Sequence, residues 1–251
     1  MNAASKPTMV VTFGRPFLSA KVLPHCNECE GGFLIAGPDS ATARPCEACR
    51  APVEAASAVR AARIPAVSFV AAGPILGAPK VKAAEAREWT KARDHLLRCV
   101  NTAMVLERNE ELTEVPVTLA GVAGAAGSGK TWLLVHALVC GLRMGLQGLY
   151  VAAGDPFSAM AALGGGDIGI GVRSAQRVPL LALDDIGGHR NEKASAIVRD
   201  ILGVRADRLM PTLFTTPRAR VDLQTEMGES IADQVQSACV SLVHGSLRGS
   251  T

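Results

Sequence analysis

An α/β fold built on a five-stranded parallel sheet, preceded by a small cysteine-bearing module, is what the sequence predicts. Three observations carry that reading. The octet Gly124-Ala125-Ala126-Gly127-Ser128-Gly129-Lys130-Thr131 fits the pattern G-x-x-x-x-G-K-[ST] at every fixed position. From residue 115 onward, short β-branched runs alternate with helix-like stretches, as a parallel sheet with crossover helices requires. Ahead of that region stand two C-x-x-C pairs, Cys26/Cys29 and Cys46/Cys49, with sixteen residues between them.

Composition sets the frame for each element. In 251 residues, 48% are hydrophobic and 20% charged, which suits a globular chain with one substantial core and a small accessory module. Aromatics are 4%, so the core has to be built from Ala, Val and Leu. A net charge of +3 is compatible with nucleic acid without pointing to it. The longest apolar stretch, near residues 66–78, is broken by Gly73, Pro74 and Gly77, so no membrane span is expected. The N-terminus lacks a compact apolar h-region. Seven cysteines are an odd number for a disulfide framework, and four of them sit in C-x-x-C units. A reducing, cytoplasmic setting follows.

Residues 1–23 show no periodicity and read as a flexible arm. Residues 24–64 form the cysteine module, whose alanine-rich segment 51–64 reads as a helix ended by Pro65. Residues 65–112 read as a linker, Gly/Pro-punctuated over 68–79, and a lead-in helix over 80–112 with Trp89, Leu96, Leu97, Val100 and Met104 in an apolar stripe. The α/β domain then fills 113–251. Strands are expected over 115–122, 148–153, 179–183, 212–216 and 240–244, with helices notably over 130–143 and 193–208. The glycine-dense segment 163–171 reads as a mobile loop, because no Lys-Thr/Ser pair follows it.

The octet lies between a predicted strand and the apolar run Trp132-Leu133-Leu134-Val135, which opens a helix at Lys130-Thr131. Backbone N–H groups of such a loop converge on phosphate oxygens, and the helix dipole adds partial positive charge. Lys130 is placed to reach the β- and γ-phosphates of ATP, and the Thr131 hydroxyl to hold Mg²⁺. Residues Gly124, Ala125, Ala126, Gly127, Ser128, Gly129 and Trp132 complete the expected nucleotide contacts. A second signal, Val178-Pro179-Leu180-Leu181-Ala182-Leu183-Asp184-Asp185, is an apolar strand ending in two acids at the carboxyl edge of the sheet, where open α/β folds bind ligands. Asp184 is the expected Mg²⁺ ligand, and Asp185 the residue that polarises the attacking water. The cysteine spacing C-x₂-C-x₁₆-C-x₂-C fits a tetrahedral Zn²⁺ site made by Cys26, Cys29, Cys46 and Cys49. Two local disulfides or unligated thiols are the alternative. Cys99, Cys140 and Cys239 read as core thiols.

These residues together resemble the DnaC/IstB group of AAA+ ATPases, and Cys26–Cys49 followed by Arg63-Ile64-Pro65 resembles the zinc-bearing helicase loaders of bacteria and their phages. The resemblance implies an ATPase that self-associates into a ring or spiral, holds single-stranded DNA and loads a hexameric replicative helicase through its zinc module, and the departures at Pro217 and Gln234 make slow turnover the expectation. Within the resemblance, 205–216 matches the helix end and sensor-1 strand, but Pro217 stands where the polar sensor is usual, so Thr215 or Thr216 has to substitute. Gln234 stands at the arginine-finger position, which leaves Arg205 and Arg208 as substitutes acting on a neighbouring subunit. His244-Gly245-Ser246-Leu247-Arg248 makes Arg248 the sensor-2 residue. An IstB-like transposition regulator, and a nucleotide-binding adaptor with little hydrolysis, are the alternative functions.

Overall fold

The computed structural model describes residues 33–35, 43–45, 62, 64, 83–112, 114–188, 191–217 and 220–242. The chain divides into two units, Met1–Pro79 and Lys80–Thr251. In the first unit, strands β1 (Phe33–Ile35) and β2 (Ala43–Pro45) pair antiparallel, with Phe33 opposite Pro45. Cys26, Cys29, Cys46 and Cys49, the predicted helix over 51–64 and the linker over 68–79 lie outside the described residues, Ala62 and Ile64 excepted.

The second unit is the predicted parallel sheet. Its elements run α1 (Ala83–Glu107), β3 (Leu119–Gly124), α2 (Lys130–Arg143), β4 (Gly148–Ala152), α3 (Pro156–Leu163), α4 (Ile168–Arg177), β5 (Leu180–Asp184), α5 (Glu192–Asp207), β6 (Thr212–Thr216), α6 (Arg220–Met227), α7 (Glu229–Ser237) and β7 (Cys239–Leu242). Five strands lie in the order β4-β5-β6-β3-β7, and every pairing is parallel. Strand β6 therefore separates the strand that ends in the glycine loop from the strand that ends in Asp184. Strands β5 and β6 are buried along their whole length, which explains why both read as unbroken apolar or threonine runs rather than alternating ones. Helix α2 packs on the sheet, most extensively against β5 and β6, and buries Leu133, Leu134, Ala137 and Leu138. Leu181, Leu183 and Phe214 join Val198, Ile201 and Leu202 of α5 in one core cluster. In α1 the expected stripe buries Trp89, Leu96 and Val100, while Leu97 and Met104 are half-buried.

Two expectations need correction. Strand β3 begins at Leu119, not at residue 115. Val115 is 89% exposed, Pro116 has no N–H to give a ladder, and the Val117 N–H donates to the Thr102 hydroxyl of α1 instead. The glycine-dense segment is not a loop throughout. Its glycines 164–166 form the turn between two helices, and Asp167 caps α4 by accepting from the Ile170 N–H at 3.1 Å. Gly171 belongs to α4, where a Cβ would lie 2.0 Å from the Met160 carbonyl oxygen. Glycine here lets α3 and α4 touch backbone to backbone, a helix–helix use of the residue that composition alone reads as loop. Among the described residues no helix is long and apolar enough to cross a membrane.

Candidate nucleotide site

Parallel register brings the carboxyl ends of β3, β5 and β6 to one edge of the sheet, at Gly124, Asp184 and Thr216. Beyond β3 the chain turns through the glycine loop into α2. Gly127 and Gly129 hold φ of +82° and +88°, a region in which a side chain is strained. Gly129 is the N-cap of α2 and supplies no side-chain cap, so the first N–H groups of the helix face the loop uncapped by any side chain. Within the loop, the Ser128 hydroxyl is buried and has no hydrogen-bond partner. A buried, unpartnered hydroxyl beside a helix N-terminus with no side-chain cap is bonding capacity to spare.

Lys130 is buried at the start of α2, and its Nζ donates to the carbonyl oxygens of Gly124 and Ala125, both at 2.8 Å. Burial pulls its pKa below the ordinary lysine value, and the charges of Asp185 and Asp184 act in the opposite direction. The ammonium is thus folded onto its own loop. Exchanging two neutral carbonyls for phosphate oxygens would give it stronger, charge-assisted bonds.

Asp184 is the hub of the site. Its carboxylate accepts from the Thr131 hydroxyl at 3.0 Å on each oxygen, from the Thr215 hydroxyl at 2.6 Å on Oδ1, and from the Tyr150 hydroxyl at 2.6 Å on Oδ2. The motif lysine-threonine pair and the acid, 53 residues apart in sequence, are therefore neighbours. Burial, followed by the charge of Asp184 and the hydrogen bond to it, pushes the Tyr150 pKa up, so its hydroxyl remains a proton donor. Asp185 adopts φ +68°, unusual for a non-glycine residue and the kind of strain that gathers at functional sites. Its N–H donates to the Thr215 Oγ1 at 2.8 Å, so one hydroxyl ties both acids. Gly154 and Gly188 flank its side chain. A Cβ would come within 3.1 Å of Asp185 Oδ2 at Gly154 and 2.2 Å at Gly188.

The remaining predicted residues fall in different places. Thr216 donates to the Ile186 carbonyl at 2.8 Å and so fixes the turn after the acids, while Thr215 makes the contacts to both acids. Trp132 is half-buried. Its indole stacks on His136 at 5.4 Å and lies tilted against Trp89 of α1 at 5.5 Å. Pro217 follows β6 and is exposed. Gln234 is exposed on α7, beside a cavity of about 430 Å³ lined by Thr118, Leu119 and Thr212, residues at or just before the starts of β3 and β6. That is the amino edge of the sheet, opposite the acids.

Arg205 corrects the sequence reading. It is 1% exposed, and its guanidinium donates to Thr212 Oγ1 at 2.8 Å and to the carbonyls of Ala175, Val178 and Pro211. With its donors turned inward, Arg205 has no reach toward a second subunit. Desolvation lowers its pKa to about 10, which still leaves it charged at neutral pH. Arg208, by contrast, is exposed. Arg248 and the expected zinc ligands Cys26, Cys29, Cys46 and Cys49 lie outside the described residues. Among the described residues no group of three His, Cys, Asp or Glu side chains could hold a metal ion. Cys99 is buried and pushed up to about 12 by desolvation, as a core thiol should be; Cys140 and Cys239 are half-buried.

Two residues escaped the sequence reading. Tyr150 belongs to no motif, and its one signal was position: an aromatic hydroxyl on a strand that proves to neighbour β5, paired with Ala182 two residues before the acid. Thr215 was named only as an alternative to Thr216.

The fold and its edge define a class, a parallel α/β domain with a phosphate-loop motif opposite paired acids. No protein-family model matches the chain, and no curated protein matches it. Among solved structures it is similar to a DnaC helicase loader at 23% identity, over 51% of this chain and 78% of that one, with a TM-score of 0.44. It is similar to DnaI at 20% identity, over 59% of this chain and 81% of that one, with a TM-score of 0.45. It is also similar to AMPPCP-bound DnaA from Aquifex aeolicus at 22% identity, over 55% of this chain and 44% of that one, with a TM-score of 0.45. The chain spans less than half of that DnaA. The fold described above rests on this chain's own strand order and register, and the site on its own distances.

Proposed function

We propose that this chain is a slow AAA+ ATPase that loads a hexameric replicative helicase onto single-stranded DNA. The observation that carries the nucleotide part is the convergence of Lys130, Thr131 and Asp184 at the mouth of an uncapped helix N-terminus. Loop N–H groups and Lys130 bind the phosphates of ATP, and the Ser128 hydroxyl gains the partner it lacks. Thr131 and Asp184 would hold Mg²⁺, which neutralises phosphate charge when bound. Asp185, strained and flanked by two glycines, orients the attacking water. The roles of Thr216 and Arg248 are a support of the turn after Asp185 and a contact to the γ-phosphate.

The partner reading rests on the resemblance in sequence. Self-association into a ring or spiral would place ATP between subunits, with the zinc module of residues 24–64 gripping the helicase. The antiparallel pair β1–β2 lies between the two cysteine pairs in sequence, and a short hairpin is what such a Cys₄ module needs. A second reading, a nucleotide-dependent adaptor with little turnover, is favoured by Pro217 and by the neutral Gln234, since a missing finger guanidinium costs about 10³–10⁵ in rate in other systems.

Two assays on the full chain test these readings. ATP turnover, with and without single-stranded DNA, is expected to be slow and DNA-stimulated; none in either condition favours the adaptor. Retention of a replicative helicase by the immobilised protein in ATP, and its absence with the Cys46→Ser/Cys49→Ser variant, is expected of a loader. Retention of a transposase instead would favour the IstB-like alternative.

A further inference from the structure

Asp184 sits on β5, and each of its carboxylate oxygens is held from a different neighbouring strand. Tyr150 of β4 donates to Oδ2, and Thr215 of β6 donates to Oδ1, both at 2.6 Å. Thr131 completes the set from α2 at 3.0 Å. A carboxylate offers about four lone-pair sites, so two short side-strand bonds fix its plane and leave capacity facing the loop. Phenylalanine would fill the same space without burying a hydroxyl, whose desolvation has to be offset by a bond. The bond it makes is to the residue placed to hold the cation.

We propose that Tyr150 is a positioning residue for the divalent cation: it locks the Asp184 carboxylate so that the face shared with Thr131 is aimed at the ion bound with the nucleotide. This rests on the Mg²⁺-nucleotide reading above. Thr215 does the same for the other oxygen and in addition holds the Asp185 N–H at 2.8 Å. Tyr150 acts through Asp184, the acceptor of its hydroxyl.

Tyr150 is the only tyrosine in the chain, so any tyrosine signal reports from this position. The test is ATP binding by the full chain at a series of Mg²⁺ concentrations, for the parent, Tyr150→Phe and Thr215→Val. Loss of an outer-shell partner typically lowers metal affinity about 10–100-fold, so Tyr150→Phe is expected to need at least tenfold more Mg²⁺ for half-maximal binding. Its ATP affinity in EDTA and its urea midpoint are expected to match the parent. Parent and Tyr150→Phe curves that coincide would overturn the inference alone. Equal losses with and without Mg²⁺ would also overturn it, as the mark of a packing role. A parent whose ATP binding ignores Mg²⁺ sinks the nucleotide-site reading and this inference together. In the parent labelled with ¹³C-tyrosine, Mn²⁺ with ATP should broaden the single tyrosine resonance; an unbroadened signal in ATP-saturated protein would count against the placement whatever the variants do.

Discussion

The two edges of the sheet each bury a charge beside the same strand, and they treat it differently. At the amino edge, Arg205 lies against the start of β6 and donates to Thr212 and to three backbone carbonyls. At the carboxyl edge, Asp184 lies against the end of β6, and Lys130 rests on two carbonyls of its own loop beside an unpartnered Ser128 hydroxyl. The first arrangement is closed, because its donors are spent on fixed backbone. The second is open, because the Lys130 bonds to its loop and the Thr131 bond to Asp184 are ones that a phosphate or a cation can replace, and the Ser128 hydroxyl has none. Burial of charge alone does not mark function; unspent bonding capacity around it does.

The largest expected effect breaks the closed edge. Arg205→Ala strands several buried acceptors at once and is expected to cost about 3–5 kcal/mol of stability, read by urea denaturation. Arg205→Lys should recover only part, since an ammonium cannot reproduce the guanidinium fork. An alanine variant as stable as the parent but slow only in assembled form would restore the finger role that burial argues against.

Lys130→Ala acts on the open edge in the opposite sense. It removes a desolvated cation held by neutral carbonyls, so the fold is expected to be retained or slightly strengthened while ATP affinity falls at least about a hundredfold, by calorimetry. Asp184→Asn should keep ATP binding but lose its response to Mg²⁺.

Gly188→Ala gives a subtler test of Asp185. A Cβ there lies 2.2 Å from Oδ2 and has to displace the carboxylate. Turnover is expected to drop about tenfold or more with nucleotide affinity intact, because a small misplacement of a water-orienting group is costly. Unchanged turnover would remove Asp185 from the chemistry.

The smallest effect is a pH slope. Burial first, then the charges of Arg93 and Arg143, holds the His136 pKa below its ordinary 6.5. The unfolded chain therefore takes the proton first, and the stability this neutral ring contributes is full above pH 6.5 and is lost as pH falls from there through the ring's lower folded-state pKa. His136→Gln should flatten this part of the acid limb in thermal melts from pH 7 to 5.

Legibility in the sequence followed the same division. The glycine loop into α2 and the acid-ended strand were readable because each is a run of contiguous residues at fixed spacing. The β6 strand 212–216 and helix 130–143 were found to the residue, since their apolar runs end at unambiguous breaks. What could not be read is what depends on neighbours in space. Tyr150 matters because β4 lies beside β5, and Arg205 is structural because α5 packs its end under the strand starts; neither adjacency is written in local pattern. Gly171 misled for a related reason, as its purpose is contact with α3 rather than freedom of a loop.

ATP binding to the full chain, measured by calorimetry with Mg²⁺ and with EDTA for the parent, Lys130→Ala and Arg205→Lys, tests the central contrast most directly. The open-edge account predicts Mg²⁺-strengthened binding to the parent, its loss in Lys130→Ala, and parent-like affinity in Arg205→Lys. Binding that survives in Lys130→Ala, or that ignores Mg²⁺ in the parent, would contradict it.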